Sequence, residues 1–224
     1  MFSVVLGALV RKGDVIQRRG GRSLELPTTT AAIAPTSNGK AAASVSYGSE
    51  RELYEPIFTV VKDKWAVERG YDRFVCEPSH SKGSAPTGGK FTRPDVTLVG
   101  VKAYVHLPGR YFEVVTFEVK AAYDVNVLGV LEALAHREAA HKSYALYHVA
   151  SDAFDDTENS DRIESLAEKH GIGLILAADP ADLSTWEFRV EAKRNEPDPE
   201  RLDAFIGGLR EKANRDEILK WNKV

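Results

Sequence analysis

The chain has 224 residues, of which 43% are hydrophobic and 28% charged, a balance typical of a globular protein with one well-buried core and appendages. The formal net charge of −3 excludes a globally basic nucleic-acid-binding protein, so any surface for such a partner has to be local. The single cysteine, Cys76, excludes an intramolecular disulfide framework and fits a reducing cytoplasm. No apolar run has the length of a membrane span, so we expect no membrane partner.

Residues 1–26 predict a helix followed by a basic β-hairpin. Apolar residues recur at helical spacing over residues 3–12, and a glycine then ends the pattern. No basic region precedes this apolar stretch, so we do not interpret it as a secretion signal. Residues 15–26 favour two strands that are joined by a turn at Gly20-Gly21.

A helix followed by a basic hairpin resembles the last helix and the wing of a winged-helix DNA-binding domain, whose earlier helices have no counterpart in this sequence. The alternative is an amphipathic helix that packs on the main domain. Residues 27–48 are rich in Thr, Ala, Ser, Gly and Pro without periodicity, and we predict that they form a linker.

The main domain is predicted to begin with a helix that runs from about residue 49 to Arg69. Ser49 is the expected N-cap, with Glu52 in the capping-box position. Pro56 lies beyond the first turn and predicts either a bend or a later start of the helix. The apolar residues that are expected to face the core recur along one side: Leu53, Ile57, Val61 and Trp65.

Three strands are expected next. A short strand at residues 74–76 leads into a long Gly/Ser/Pro loop at residues 77–93, and the loop leads into a β-branched run that starts near Asp95. Residues 102–107 are predicted to turn back, with Pro108-Gly109 as the turn into the third strand.

The rest of the chain predicts an α/β domain over residues 49–192 and a helical tail over residues 193–224. The remaining predicted elements are a helix at 125–142, a strand at 144–150, an acidic loop at 152–161, a helix at 162–170, a strand at 171–176, an edge strand at 186–190 and a helical tail from about 199 that is broken at Gly207-Gly208.

Two carboxylates and one lysine stand out on the predicted second and third strands. Asp95 follows Pro94 at the start of one strand, and Glu118-Val119-Lys120 ends the other. Because side chains alternate along a strand, Glu118 and Lys120 share one face. Two acids and a lysine at one sheet edge suit a hard divalent cation and an activated water. The alternative is that Asp95 only starts a strand while Glu118 and Lys120 form a surface pair.

Pro94, Asp95, Glu118 and Lys120, with Val119 at the variable position, resemble the motif of the PD-(D/E)xK nuclease superfamily. The resemblance covers roughly residues 49 to 177. It implies a restriction-endonuclease-like core, a mixed sheet flanked by helices in αβββαβ order. It also implies a metal-dependent endonuclease that hydrolyses DNA phosphodiester bonds with Mg²⁺, for which Mn²⁺ substitutes.

In this interpretation Asp95 and Glu118 are metal ligands, and Lys120 orients or helps to deprotonate the attacking water. The resemblance implies two further participants. One is the backbone carbonyl of Val119 as an extra ligand. The other is a glutamate of the first helix, for which Glu50 is the candidate, with Glu52 and Glu55 as alternatives.

Clustered cations are the expected contacts for DNA phosphates. The candidates lie in the N-terminal hairpin, in the loop before Pro94 and on the helix after Lys120: Arg18, Arg19, Arg22, Lys90, Arg93, His136 and Arg137. On the same helix, Glu132 is a candidate supporting residue. The alternative function is a DNA-binding regulatory or accessory protein with a non-catalytic nuclease-like scaffold. The resemblance also implies a possible homodimer, because two sites cut both strands most easily, and the tail offers apolar residues for its interface.

Overall fold

The computed structural model describes residues 47–79 and 93–221, together with the backbone of residues 17–18 and 21–22. The chain divides into two compact units, Met1–Ala43 and Ser44–Val224. The predicted helix at residues 3–12, most of the predicted linker, and Arg19 and Lys90 lie outside the described residues.

In the first unit, strands β1 (Gln17–Arg18) and β2 (Gly21–Arg22) pair in antiparallel orientation. The register sets Arg18 opposite Gly21. Gly21 is therefore a strand residue, and the prediction that it belongs to the turn is wrong by one position.

The second unit is built on one open, six-stranded mixed sheet in the order β3-β4-β5-β6-β7-β8. Strands β5, β6 and β7 are mutually parallel, and the other neighbouring pairs are antiparallel. The strands are β3 Arg73–Pro78, β4 Val96–Tyr104, β5 Leu107–Lys120, β6 Lys142–Tyr147, β7 Gly173–Ala177 and β8 Trp186–Val190.

Helices cover both faces of this sheet, so the fold class is α/β as predicted. In the second unit, apart from the π-helical and 3₁₀ turns and the three-residue helix Ala66–Glu68, the first six elements follow in the order α, β, β, β, α, β. None of the helices in the described ranges is long and apolar enough to cross a membrane. The longer helices are α1 Glu50–Val60, α2 Val127–His136, α3 Ser151–Asp155, α4 Ser160–His170, α5 Pro199–Gly207 and α6 Lys212–Trp221. A three-residue helix, Ala66–Glu68, also follows α1.

The alternation along β5 assigns its two faces to different helices. Phe117 and Val119 lie in the core that α1 forms with the sheet. Gly129 and Glu132 of α2 lie against Lys120 on the opposite face. The first helix and the helix after β5 therefore approach the end of β5 from the two sides.

Helix α1 continues through Pro56 and is followed by a π-helical turn, Val61–Trp65. The four residues of the predicted apolar stripe are all buried, as expected. These residues are spaced four apart, so in an α-helix of 3.6 residues per turn the stripe would drift around the helix. The wider π turn offsets this drift and keeps Val61 and Trp65 on the buried face. The predicted capping box does not form, because the Ser49 side chain caps no backbone N–H. The Glu52 carboxylate instead accepts hydrogen bonds from the Ser49 hydroxyl and from the Gly48 N–H.

The predicted turn at Pro108-Gly109 is wrong. Strand β4 runs on to Tyr104, which pairs with Leu107, so the loop consists of the two residues between them. The register then shifts, because Arg110 pairs with Ala103 and leaves Pro108 and Gly109 as a bulge. Gly109 has a φ of +85°, which a glycine adopts without strain.

Two boundaries after β5 also differ from the predictions. Helix α2 ends at His136, and Lys142 opens β6 instead of closing the helix. The reason is tertiary: His141 exchanges backbone and side-chain hydrogen bonds with Val114 of β5, which draws this segment into the sheet. The predicted acidic loop contains the short helix α3, whose Phe154 is fully buried.

The tail forms two helices, as predicted, and they pack on the sheet. Leu209, Ile218 and Trp221 are buried against Val99, Val101 and Val114. The buried carboxylate of Glu77 in β3 accepts hydrogen bonds from the Arg210 and Glu211 N–H groups and from Asn214 Nδ2, at 2.7, 3.1 and 3.0 Å. Glu77 thus anchors the start of α6, where an anion also suits the helix dipole.

We expect Glu77→Ala to lower the free energy of unfolding by about 2–4 kcal/mol, because it removes three part-buried hydrogen bonds and each contributes about 0.5–1.5 kcal/mol. Urea unfolding and hydrogen exchange of the amides in α6 measure this effect. Glu77→Gln keeps one acceptor oxygen, so its free energy of unfolding should lie between those of the wild type and Glu77→Ala. The exposed Glu68→Ala is the matched control and should have the stability of the wild type. Unchanged protection of α6 in Glu77→Ala would contradict the anchoring role.

Candidate active site

The pairing of β4 with β5 brings Asp95 and Glu118 together. The strand pairing ends at Val96 and Phe117, so Asp95, the residue before β4, lies beside the end of β5 that carries Glu118. The Asp95 N–H donates to the Phe117 carbonyl at 3.0 Å, and its Oδ2 accepts from the Val119 N–H at 2.8 Å. The charge of Asp95 acts directly on the Glu118 carboxyl, so the two side chains lie near each other. The two carboxylates are neighbours at the end of the strand pair.

Burial separates this arrangement from an ordinary surface ion pair. The exposed fractions of Asp95, Glu118 and Lys120 are only 6%, 7% and 7%. Charged residues are almost never buried to this extent unless they are paired. The alternative interpretation of Glu118 and Lys120 as a surface pair is therefore wrong.

Lys120 lies between two carboxylates. Its Nζ is 2.8 Å from Glu118 Oε1 and 2.5 Å from Glu132 Oε2. The close approach of α2 depends on Gly129, because a Cβ there would lie 3.0 Å from Lys120 Cγ and 2.7 Å from the Tyr147 hydroxyl. Glu132, expected as a supporting residue, thus contacts the motif lysine directly.

Glu50 is connected to the site through a tyrosine that the sequence analysis missed. The Tyr54 hydroxyl donates to Glu50 Oε1 at 2.6 Å, and it also interacts with Asp95. Tyr54 lies one helical turn after Glu50, so the two residues are neighbours on the helix surface. Of the two alternatives to Glu50, Glu52 binds residues at the helix start and Glu55 is exposed.

Two of the predicted nucleic-acid contacts, His136 and Arg137, are engaged by other groups of the protein. His136 is buried, with Nε2 3.8 Å from Glu118 Oε2. The Arg137 guanidinium donates to the carbonyls of His170 and Lys193. Neither arrangement favours the predicted phosphate contact. Arg93 is half-buried two residues before Asp95.

The remaining predicted contacts are the arginines of the N-terminal hairpin and Lys90 of the loop before Pro94. The backbones of Arg18 and Arg22 belong to the β1–β2 pair. Their role in DNA binding stays a prediction. Arg19 and Lys90 lie outside the described residues.

The carboxylates have strongly shifted proton affinities. Burial, aided by the charge of Glu50, raises the pKa of Asp95 to about 7. Burial and the charge of Asp95 raise the pKa of Glu118 to about 9. Burial acts to lower the pKa of Lys120, but Glu118 and Glu132 outweigh it and raise the pKa of this ammonium group. Lys120 is therefore charged in this arrangement, while the two acids together hold protons near neutral pH.

Two adjacent buried carboxylates that resist ionisation are suited to a hard divalent cation, which supplies the missing positive charge. Mg²⁺ needs only one or two protein carboxylates, because water and phosphate oxygens complete its shell. Within the described ranges, no group of three or more His, Cys, Asp or Glu side chains is arranged to hold a metal. Asp95 and Glu118 offer two carboxylates, which is the type and number of protein ligand that Mg²⁺ needs. Val119 contributes its N–H to Asp95, and its carbonyl as a ligand stays a prediction.

Comparisons with protein-family models, with curated proteins and with solved structures found no match to this chain.

The raised pKa values predict how the stability of the metal-free protein depends on pH. The folded state holds protons on Asp95 and Glu118 that the unfolded chain releases near pH 4, so this contribution to stability is full below about pH 4. It is lost as the pH rises through about 7 for Asp95 and about 9 for Glu118.

We expect metal-free protein to lose about 2 kcal/mol more stability than Asp95→Asn between pH 5.5 and 8.5, because one pKa unit corresponds to about 1.4 kcal/mol. Urea unfolding in EDTA at both pH values measures the difference. Glu55→Gln, an exposed change on the same helix as Tyr54, is the control and should lose as much stability between the two pH values as the wild type. Parallel curves for wild type and Asp95→Asn would show that the Asp95 carboxyl does not hold the extra proton.

Proposed function

We propose that this protein is a metal-dependent endonuclease that hydrolyses DNA phosphodiester bonds with Mg²⁺ or Mn²⁺. The observation that carries the proposal is the meeting of Asp95, Glu118 and Lys120, all buried, at the ends of two paired strands. This combination provides oxygen ligands for a hard cation and an ammonium group beside them.

The topology supports membership of the PD-(D/E)xK superfamily. The αβββαβ order and the mixed sheet, with antiparallel β3, β4 and β5 followed by parallel β6, are those expected of a restriction-endonuclease-like core. The first helix and the helix after the motif lysine both contribute side chains to the site, namely Glu50 and Glu132.

Each residue has a defined task in the proposed reaction. Asp95 and Glu118 hold the cation, which when bound neutralises phosphate charge and activates a water. The Val119 N–H orients the Asp95 carboxylate, and the Tyr54 hydroxyl, which donates to Glu50, lies beside it. Because two carboxylates raise the pKa of Lys120 despite its burial, it acts as a charged donor that orients water and stabilises developing negative charge.

Arg93 and the arginines of the β1–β2 pair are the proposed phosphate contacts, since DNA affinity depends on cations near the backbone. A homodimer that uses the apolar residues of the tail is not favoured, because Leu209, Ile218 and Trp221 pack on the chain's own sheet. If the protein dimerises, another surface is expected to form the interface.

We expect purified protein to nick supercoiled plasmid with Mg²⁺ or Mn²⁺, and Asp95→Ala and Lys120→Ala each to lose at least about 100-fold of the rate. Glu55→Ala, exposed on α1, is the matched control. Thermal unfolding of each variant verifies that it is folded. Nicking that survives in Asp95→Ala would contradict the assignment of the site. DNA binding without metal-dependent nicking would instead support the accessory-protein alternative.

A second prediction concerns the partner of the motif lysine. Glu132→Gln removes one of the two carboxylates that hold Lys120, so we expect the cleavage rate to fall about 10-fold, less than in Lys120→Ala. Initial rates at saturating Mg²⁺ measure the change. Glu138→Gln, an exposed glutamate just after the same helix, should leave the rate unchanged. A wild-type rate in Glu132→Gln would show that the Glu132 contact does not position Lys120.

A further inference from the structure

Among the described residues, most large apolar side chains with high exposure lie in two places. One is the tip of the β4–β5 hairpin, where Tyr104 and Tyr111 lie. The other adjoins the candidate active site and consists of Tyr123, Leu128 and Leu131, with exposed fractions of 72%, 52% and 43%. We call these three residues the apolar rim. All three lie within eleven residues of Lys120 in the chain, and exposed apolar side chains near a site are candidates for contact with its ligand.

The first member of the apolar rim is attached to the site at its polar end. Tyr123 lies in a 3₁₀ turn, Ala122–Asp124, that begins two residues after Lys120. Its hydroxyl accepts a hydrogen bond from the Glu50 N–H at 3.4 Å, and the Glu50 carboxylate accepts from Tyr54. The hydroxyl thus has a partner next to the site while most of the side chain remains exposed to solvent.

The other two members lie on the helix that contacts the motif lysine. Leu128 precedes Glu132 by one helical turn, and Leu131 follows Leu128 by three residues, so these residues are neighbours on the helix surface. Glu132 is 2.5 Å from Lys120 Nζ, and Gly129 lies against Lys120 Cγ. The two exposed leucines therefore flank the part of α2 that touches the site.

An apolar surface with an aromatic ring, beside a site for a phosphodiester, suits the flat face of a nucleobase. Bases in a duplex cover their faces by stacking on each other, so only an unpaired base can present one to a protein. We propose that the apolar rim binds an unpaired base next to the scissile phosphate, with Tyr123 as the stacking platform. The preferred substrate is then DNA with a single-stranded segment. This inference rests on the proposed nuclease function.

The experiment compares cleavage of a single-stranded oligonucleotide and of a blunt duplex of the same sequence by wild type, Tyr123→Ala and Tyr123→Phe. Stacking on an aromatic side chain is strong enough that its loss should raise KM for the single strand roughly tenfold. Tyr123→Phe keeps the ring and should retain the wild-type KM. Tyr104→Ala, an exposed tyrosine at the distant hairpin tip, is the matched control and should behave as wild type.

A second readout does not require cleavage. In Asp95→Asn protein, a single strand that carries 2-aminopurine should lose fluorescence on binding, because stacking quenches this base, and the added change Tyr123→Ala should abolish the quenching. Equal KM values in wild type and Tyr123→Ala, together with unchanged quenching, would overturn the stacking site while the nuclease function stands. Absence of cleavage of every substrate by the wild type would overturn the function itself.

Discussion

The candidate site depends on one constraint, the register between β4 and β5. The strand pairing ends at Val96 and Phe117, and the hydrogen bond from the Asp95 N–H to the Phe117 carbonyl holds Asp95 beside the end of β5 that carries Glu118. The Val119 N–H then fixes the Asp95 carboxylate. A slip of one residue would move Glu118 and Lys120 to the other face of the sheet, into the core with α1. The buried Phe117 and Val119 oppose such a slip, so hydrophobic packing determines where the polar groups lie.

Much of the fold could be predicted from local pattern, and the errors have tertiary causes. The stripe of α1 and the edge strand β8 were predictable because their periodicities are regular. The turn at Pro108-Gly109 was not, because turn residues also form bulges, and only the pairing of Tyr104 with Leu107 distinguishes the two. Lys142 looked helical from its neighbours, but hydrogen bonds of His141 to β5 place it in β6.

The site was predictable in its residue types but not in its environment. The residue types and their spacing in the sequence identified Asp95, Glu118 and Lys120 as candidates, and the structure brings them together. Their burial could not be predicted, since the sequence does not show that α2 covers the Glu118 face through the close approach at Gly129. Tyr54 was missed because a tyrosine on an amphipathic helix has the same pattern whether it packs in a core or orients a carboxylate.

The central claim is that Asp95 and Glu118 together hold one divalent cation. Calorimetric titration of Mn²⁺ into metal-free protein at pH 7.5, in buffers of different ionisation enthalpy, tests it most directly. We predict one bound ion and net proton release, because binding displaces protons from carboxyls whose pKa values are about 7 and about 9. Binding should be lost in Asp95→Asn and in Glu118→Gln. Undiminished binding in both variants, or no binding by the wild type, would contradict the account.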